Sequence, residues 1–212
     1  MKFRLFSERE FDIDCPVALI ECYCFQTDFY SSYDLLLTER RVEAVGKIGA
    51  RIDREKLPQI SVLVDAAGSL PVFHYEIDQF LKLDDEDIRS HVIAACSIVQ
   101  SLMRLGLGLS QCSKVLHTVY PRIMPMIDSM LQEEYRRHID SQWTPERPEQ
   151  ILLAYYMNLK AEPTANSLDC LFSTVSANVP CLTKVRVFDI VWWSYLRATR
   201  LSERHHITWK TV

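Results

Sequence analysis

Between Asp84 and Ser129 the chain carries a helical pattern broken at one point by two glycines. Ile88, Val92, Ile93, Cys96, Val99 and Leu102 recur at three- and four-residue steps, the period that gathers side chains on one face of a helix. Asp84 and Asp85 stand at its start, and acidic residues fill the first turn, where free amides and the positive end of the helix dipole favour them. The run stops at Gly106-Leu107-Gly108, which holds two of only five glycines in the chain. A helix ending at Gly106 and a second over about 109–117 follow from this pattern. Pro121 and Pro125 keep the next segment irregular, because each lacks an amide donor and restricts the residue before it. A further helix starts at Asp128 or Ser129 and runs to about His138.

The same periodicity predicts helices around 15–25, with Pro16 near the first turn, over 33–50, and from an N-cap at Asp53 to about Gly68. "LPVFHYEI" reads as a short strand or a loop. Thr144-Pro145-Glu146 has the cap, proline and acidic order of a helix start, and predicts helices over 145–160, 164–177 and 183–200. In the last of these, Val187, Val191 and Tyr195, with Phe188, Trp192 and Leu196 beside them, form an apolar stripe. Trp193 falls off that stripe. The expectation is an all-α fold, one domain over 1–212 with two helical lobes: a hairpin-containing lobe at 80–145, and a second lobe from 1–79 plus 146–212.

With 48% hydrophobic and 25% charged residues, the composition is that of a soluble globular chain. No apolar run is long enough for a membrane span, and "MKFRLFSEREF" lacks the core of a signal peptide. The seven cysteines are odd in number and scattered among apolar neighbours, which predicts reduced thiols and a cytoplasmic protein. Cys22 and Cys24 are too close for a C-x-x-C knuckle, and no second pair completes a set, so neither a metal nor a cofactor is expected. The net charge of −4 excludes a protein that coats nucleic acid by bulk charge. Charge is unevenly spread, however: Val92 to Ile127 contains no acid but includes Arg104, Lys114 and Arg122.

A Gly-x-Gly turn lets a ligand approach backbone unobstructed, and the amides opening the next helix favour an anion. Gly106, Gly108, Ser110, Lys114, Arg104 and Arg122 are therefore candidate contacts for a nucleic-acid backbone. Plainer roles are packing for the glycine turn, a surface position for Lys114 and a carbonyl contact for Arg122. Asp128 is a favoured N-cap, and Ser129 with Gln132 is the alternative capping pair. His117 ends its helix, where histidine meets free carbonyls. Asp189 reads as an ion pair with Arg186, or as a second functional acid if its helix borders a cleft.

The order Gly106-Leu107-Gly108, an apolar helix through Val115 and Leu116, then Ile127-Asp128, twenty residues after the second glycine, resembles the helix-hairpin-helix DNA glycosylase superfamily. The endonuclease III and adenine-glycosylase type shows L-P-G-V-G-x-x-T-A followed by V-D or L-D opening a helix. Beyond that core, "SKVLH", Pro125-x-x-Asp128 and "KVRVFDIVWW" are similar to an uncharacterised bacterial family with S-K-L-L, P-x-x-D and L-R-x-x-D-x-x-x-W elements. The resemblance implies DNA binding, with Asp128 as the catalytic carboxylate of base excision. Bifunctional members place a lysine where Ser110 stands here, so the implied chemistry is monofunctional. A non-catalytic DNA-binding module and a helical protein–protein interaction domain are the alternatives.

Overall fold

The computed structural model describes residues 2–5, 9–12, 20, 45, 50–139, 147–177, 179 and 182–205. The fold is all-α; among the described residues there is one short antiparallel hairpin, near the N-terminus, formed by β1 (Lys2–Leu5) and β2 (Arg9–Asp12). This hairpin is an addition to the sequence reading; its alternation of charge and bulk has the two-residue period of a strand. Eight α-helices follow among the described residues: α1 (Leu57–Ala67), α2 (Ile77–Phe80), α3 (Asp85–Arg104), α4 (Leu109–Val119), α5 (Ser129–His138), α6 (Pro148–Lys160), α7 (Glu162–Val175) and α8 (Lys184–His205). The helices expected over 15–25 and most of 33–50 lie outside the described residues.

α3 is the axis of the packing, touching α1, α4 and α6. Asp84 caps it by accepting the Asp87 amide at 2.8 Å, and Ile88, Val92, Ala95, Cys96, Val99 and Leu102 form its buried stripe. It ends on Gly106, whose φ of 85° lies in the left-handed region. There the Leu105 and Gly106 amides return to Leu102 and Met103 at 3.0 and 2.8 Å, closing the last turn. Gly108 differs: its backbone is extended, and it caps α4. A Cβ at Gly108 would meet only the Gln111 side chain at 3.7 Å, whereas one at Gly106 would stand 3.1 Å from the Lys56 ammonium on strained backbone. Gly106→Ala is therefore expected to lower stability by about 1–2 kcal/mol in urea unfolding. Gly108→Ser is expected to stay within about 0.5 kcal/mol of the parent, since serine caps at least as well as glycine.

Asp53 caps a short 3-10 turn that leads into α1, and Gly68 terminates α1, as expected. "LPVFHYEI" is neither strand nor plain loop: Pro71–His74 form a 3-10 turn burying Val72 and Phe73, and Ile77 opens α2. Pro71 supplies the preset φ such a turn needs. α6 begins at Pro148 rather than 145, with proline in its first turn; Thr144-Pro145-Glu146 lies outside the described residues. On α8, Val187, Phe188, Val191, Trp192 and Leu196 are buried as the stripe predicts, while Tyr195 is only half-buried. Tyr135 of α5, Tyr155 of α6 and Phe188 surround Trp192 at ring-centroid distances of 4.8, 6.3 and 5.3 Å. This aromatic cluster joins three helices beneath the segment that carries Asp128.

Among the described residues, no helix is long and apolar enough to cross a membrane. Cys96 and Cys112 are buried free thiols, held protonated by burial, and Cys170 is an exposed one.

Candidate functional site

Residues 121–128 form a strap between α4 and α5, and Ile123, Met124, Met126 and Ile127 are buried. Buried irregular backbone must find hydrogen-bond partners or lose about 1–3 kcal/mol per orphan group. Here side chains from four helices and one loop supply them. Thr183 Oγ1 donates to the Pro121 carbonyl at 2.8 Å, and Tyr156 OH to that of Ile123 at 2.9 Å. His117 Nδ1 lies 2.6 Å from the Met124 carbonyl; since a carbonyl only accepts, that nitrogen carries the proton. The Met126 amide donates to Asp189 Oδ2 at 3.0 Å and the Ile127 amide to Ser113 Oγ at 3.0 Å. Gln132 Nε2 closes the set on the Ile127 carbonyl at 3.2 Å.

The strap delivers Asp128. Its Oδ1 accepts the Leu131 amide at 2.9 Å, so Asp128, not the Ser129–Gln132 pair, caps α5. The residue is half-buried. Lys114 of α4 and Arg186 of α8 are also half-buried and close enough to act electrostatically here. Burial pulls the Lys114 ammonium below its ordinary value; the Asp128 carboxylate opposes this, and Arg186 adds to it. Lys114 thus feels both a carboxylate and a second cation.

Behind that edge lies Asp189, fully enclosed. Besides the Met126 amide it accepts Tyr155 OH on Oδ1 at 2.7 Å. Burial pushes its carboxyl up to about 7, against the pull of Arg186 and the two donors, with Asp128 pushing the same way as burial. His117 is shifted oppositely: burial, then the Arg186 charge, drives it down to about 3, opposed by its bond to Met124.

Of the residues expected to touch nucleic acid, Ser110, Lys114 and Asp128 cluster along α4 and the strap. Ser110 and Lys114 are one turn apart on α4, and the Ser110 carbonyl accepts Ser113 Oγ at 3.1 Å. The Gly108 amide is already engaged by Gln111 Oε1 at 2.8 Å, which leaves the later first-turn amides of α4 for an anion. Arg104 is exposed in the last turn of α3. Arg122 pairs with Glu76 on the surface rather than standing free. His117 meets the Met124 carbonyl of the strap. Asp189 accepts hydrogen bonds from Tyr155 and Met126 and feels the Arg186 charge, and Trp193 is half-buried beneath the Arg197 guanidinium at 5.1 Å. Sequence reasoning missed Ser113, Tyr155, Tyr156 and Thr183. The available signal was polar residues on otherwise apolar faces, as at Ser113 and His117, four apart on α4.

Elsewhere a cavity of about 350 Å³ lies among α2, α6, α7 and the start of α8, floored by Ile77, Leu81, Leu159 and Leu168. On its rim Lys184 bridges Asp78 and Asp169 at 2.7 Å each, tying three helices. Among the described residues no three His, Cys, Asp or Glu side chains are grouped to hold a metal ion. No protein-family model, curated protein or solved structure matches the chain.

Proposed function

We propose that this chain is a helix-hairpin-helix DNA-binding protein in which the turn between α3 and α4 grips backbone phosphate and Asp128 serves monofunctional base excision. One observation carries the reading: Asp128 is half-buried, within electrostatic reach of Lys114, at the end of a strap held by six side-chain hydrogen-bonding groups. Placement this well determined is what a reacting carboxylate needs and more than a helix cap requires. The cations suit flanking phosphates, and the first-turn amides of α4 suit another. Once a damaged nucleotide leaves the stack, cleavage of its glycosidic bond develops positive charge on the sugar. The Asp128 carboxylate offsets that charge and orients the attacking water.

A second reading, a protein–protein interaction domain, is favoured by Val62 and Ile93. They are 68% and 56% exposed on α1 and α3, two helices that pack together.

The test is duplex DNA carrying modified bases, incubated with the parent and with Asp128→Asn, then treated with alkali. Asparagine caps a helix as well as aspartate, so the variant keeps its fold and isolates the chemistry. Alkali-labile sites made by the parent and lost in the variant are the expected result. An equal yield in both removes Asp128 from the reaction. Binding without any base release leaves the non-catalytic module.

A further inference from the structure

Two of the groups beneath the strap, a carboxyl and an imidazole, are of opposite charge type. Asp189 grips the Met126 amide and His117 grips the Met124 carbonyl, two residues apart on the same strap. We propose that Asp189 and His117 are a matched pair of positioning residues for Asp128, clamping the strap from beneath and cancelling each other's response to pH. The role in function rests on the reading of Asp128 above; the mechanical part does not.

The geometry supplies Asp189 with two states. Tyr155 OH lies 2.7 Å from Asp189 Oδ1 and 3.3 Å from the Val185 carbonyl. With the carboxylate ionised, Tyr155 donates to it. With the carboxyl neutral, the acid donates to Tyr155, whose own hydrogen turns to Val185, and Oδ2 keeps the Met126 amide. The charged and titratable groups facing Asp189 are Arg186 on α8, Tyr155 and Tyr156 on α6, Tyr135 on α5 and Asp128 on the strap. His117 faces Arg186 and the Met124 carbonyl.

Opening the strap to water returns both groups toward their ordinary values, 3.8 for the aspartate and 6.5 for the histidine. Asp189 is raised when closed, so its contribution to closure is full below 3.8 and is lost as pH rises to about 7. His117 is lowered when closed, so its contribution is full above 6.5 and is lost as pH falls to about 3. Each alone changes the opening constant about tenfold per pH unit. Between about 4 and 6.5 the two slopes are equal and opposite.

The experiment is amide hydrogen exchange of the strap in the full chain without DNA, corrected for intrinsic rates, from pH 4 to 8. Asp189→Asn and His117→Asn serve as shape-conserving variants that keep an acceptor for Met126 and a donor for Met124. The parent is expected to show an opening constant level within about threefold from pH 4 to 6.5. In Asp189→Asn opening falls steeply as pH rises through that window, and in His117→Asn it rises steeply. A parent profile as steep as either variant's overturns the proposal, and so does a level profile in either variant. Because no DNA is present, this result is separate from that of the excision assay.

Discussion

Trp192→Ala is expected to lower the unfolding free energy by about 3–5 kcal/mol, the range for removing a large buried aromatic. Trp192 has no exposed surface and is ringed by Tyr135, Tyr155 and Phe188. No other side chain in the cluster is large enough to refill its volume. Domains of this kind have about 5–15 kcal/mol in total, so the loss is a large share of the whole. The midpoint in urea should fall with an unchanged slope, followed by helical circular dichroism so that loss of the indole does not affect the signal. A change under about 1 kcal/mol would mean that Trp192 is not the centre of the α5–α6–α8 packing.

Ser113→Ala is the second large effect, about 1–3 kcal/mol, although only one oxygen is lost. Ser113 Oγ accepts the Ile127 amide at 3.0 Å, and both residues are fully buried. Removing it leaves that amide with no water to turn to. The damage should concentrate in the strap, with faster hydrogen exchange at Met126 and Ile127 while α3 stays protected. Uniform loss of protection across the helices would show instead that Ser113 supports the fold generally.

The helices were legible because their signals are local. Asp84, Gly106 and Asp128 mark ends through contacts within four residues, and the stripes of α3 and α8 follow their own period. The strap was not legible. Its prolines exclude helix, yet nothing nearby says that it is buried or what satisfies it. Its anchors come from far along the chain: Asp189 is 63 residues from Met126, Thr183 is 62 from Pro121 and Tyr156 is 33 from Ile123. Spacing alone paired Asp189 with Arg186, because three residues apart on a helix is a plausible ion pair. What spacing could not show is that this carboxyl is enclosed and, besides the Arg186 charge, accepts two hydrogen bonds from distant residues. The Arg122–Glu76 pair was hidden for the same reason, since Glu76 is distant in sequence and adjacent in space.

The most direct test of the central claim is the affinity for a short DNA duplex measured across salt concentration, for the parent and for Gly108→Trp. Gly108 is exposed and its extended backbone accepts a side chain, so the variant should fold normally while its indole blocks approach to the α4 amides. The expectation for the parent is a log affinity that falls with log salt at a slope of about −2 to −4, set by a few released counterions. Gly108→Trp should bind at least roughly tenfold more weakly at the same salt. Binding that ignores salt, or a Gly108→Trp variant that binds as the parent does, would contradict the account.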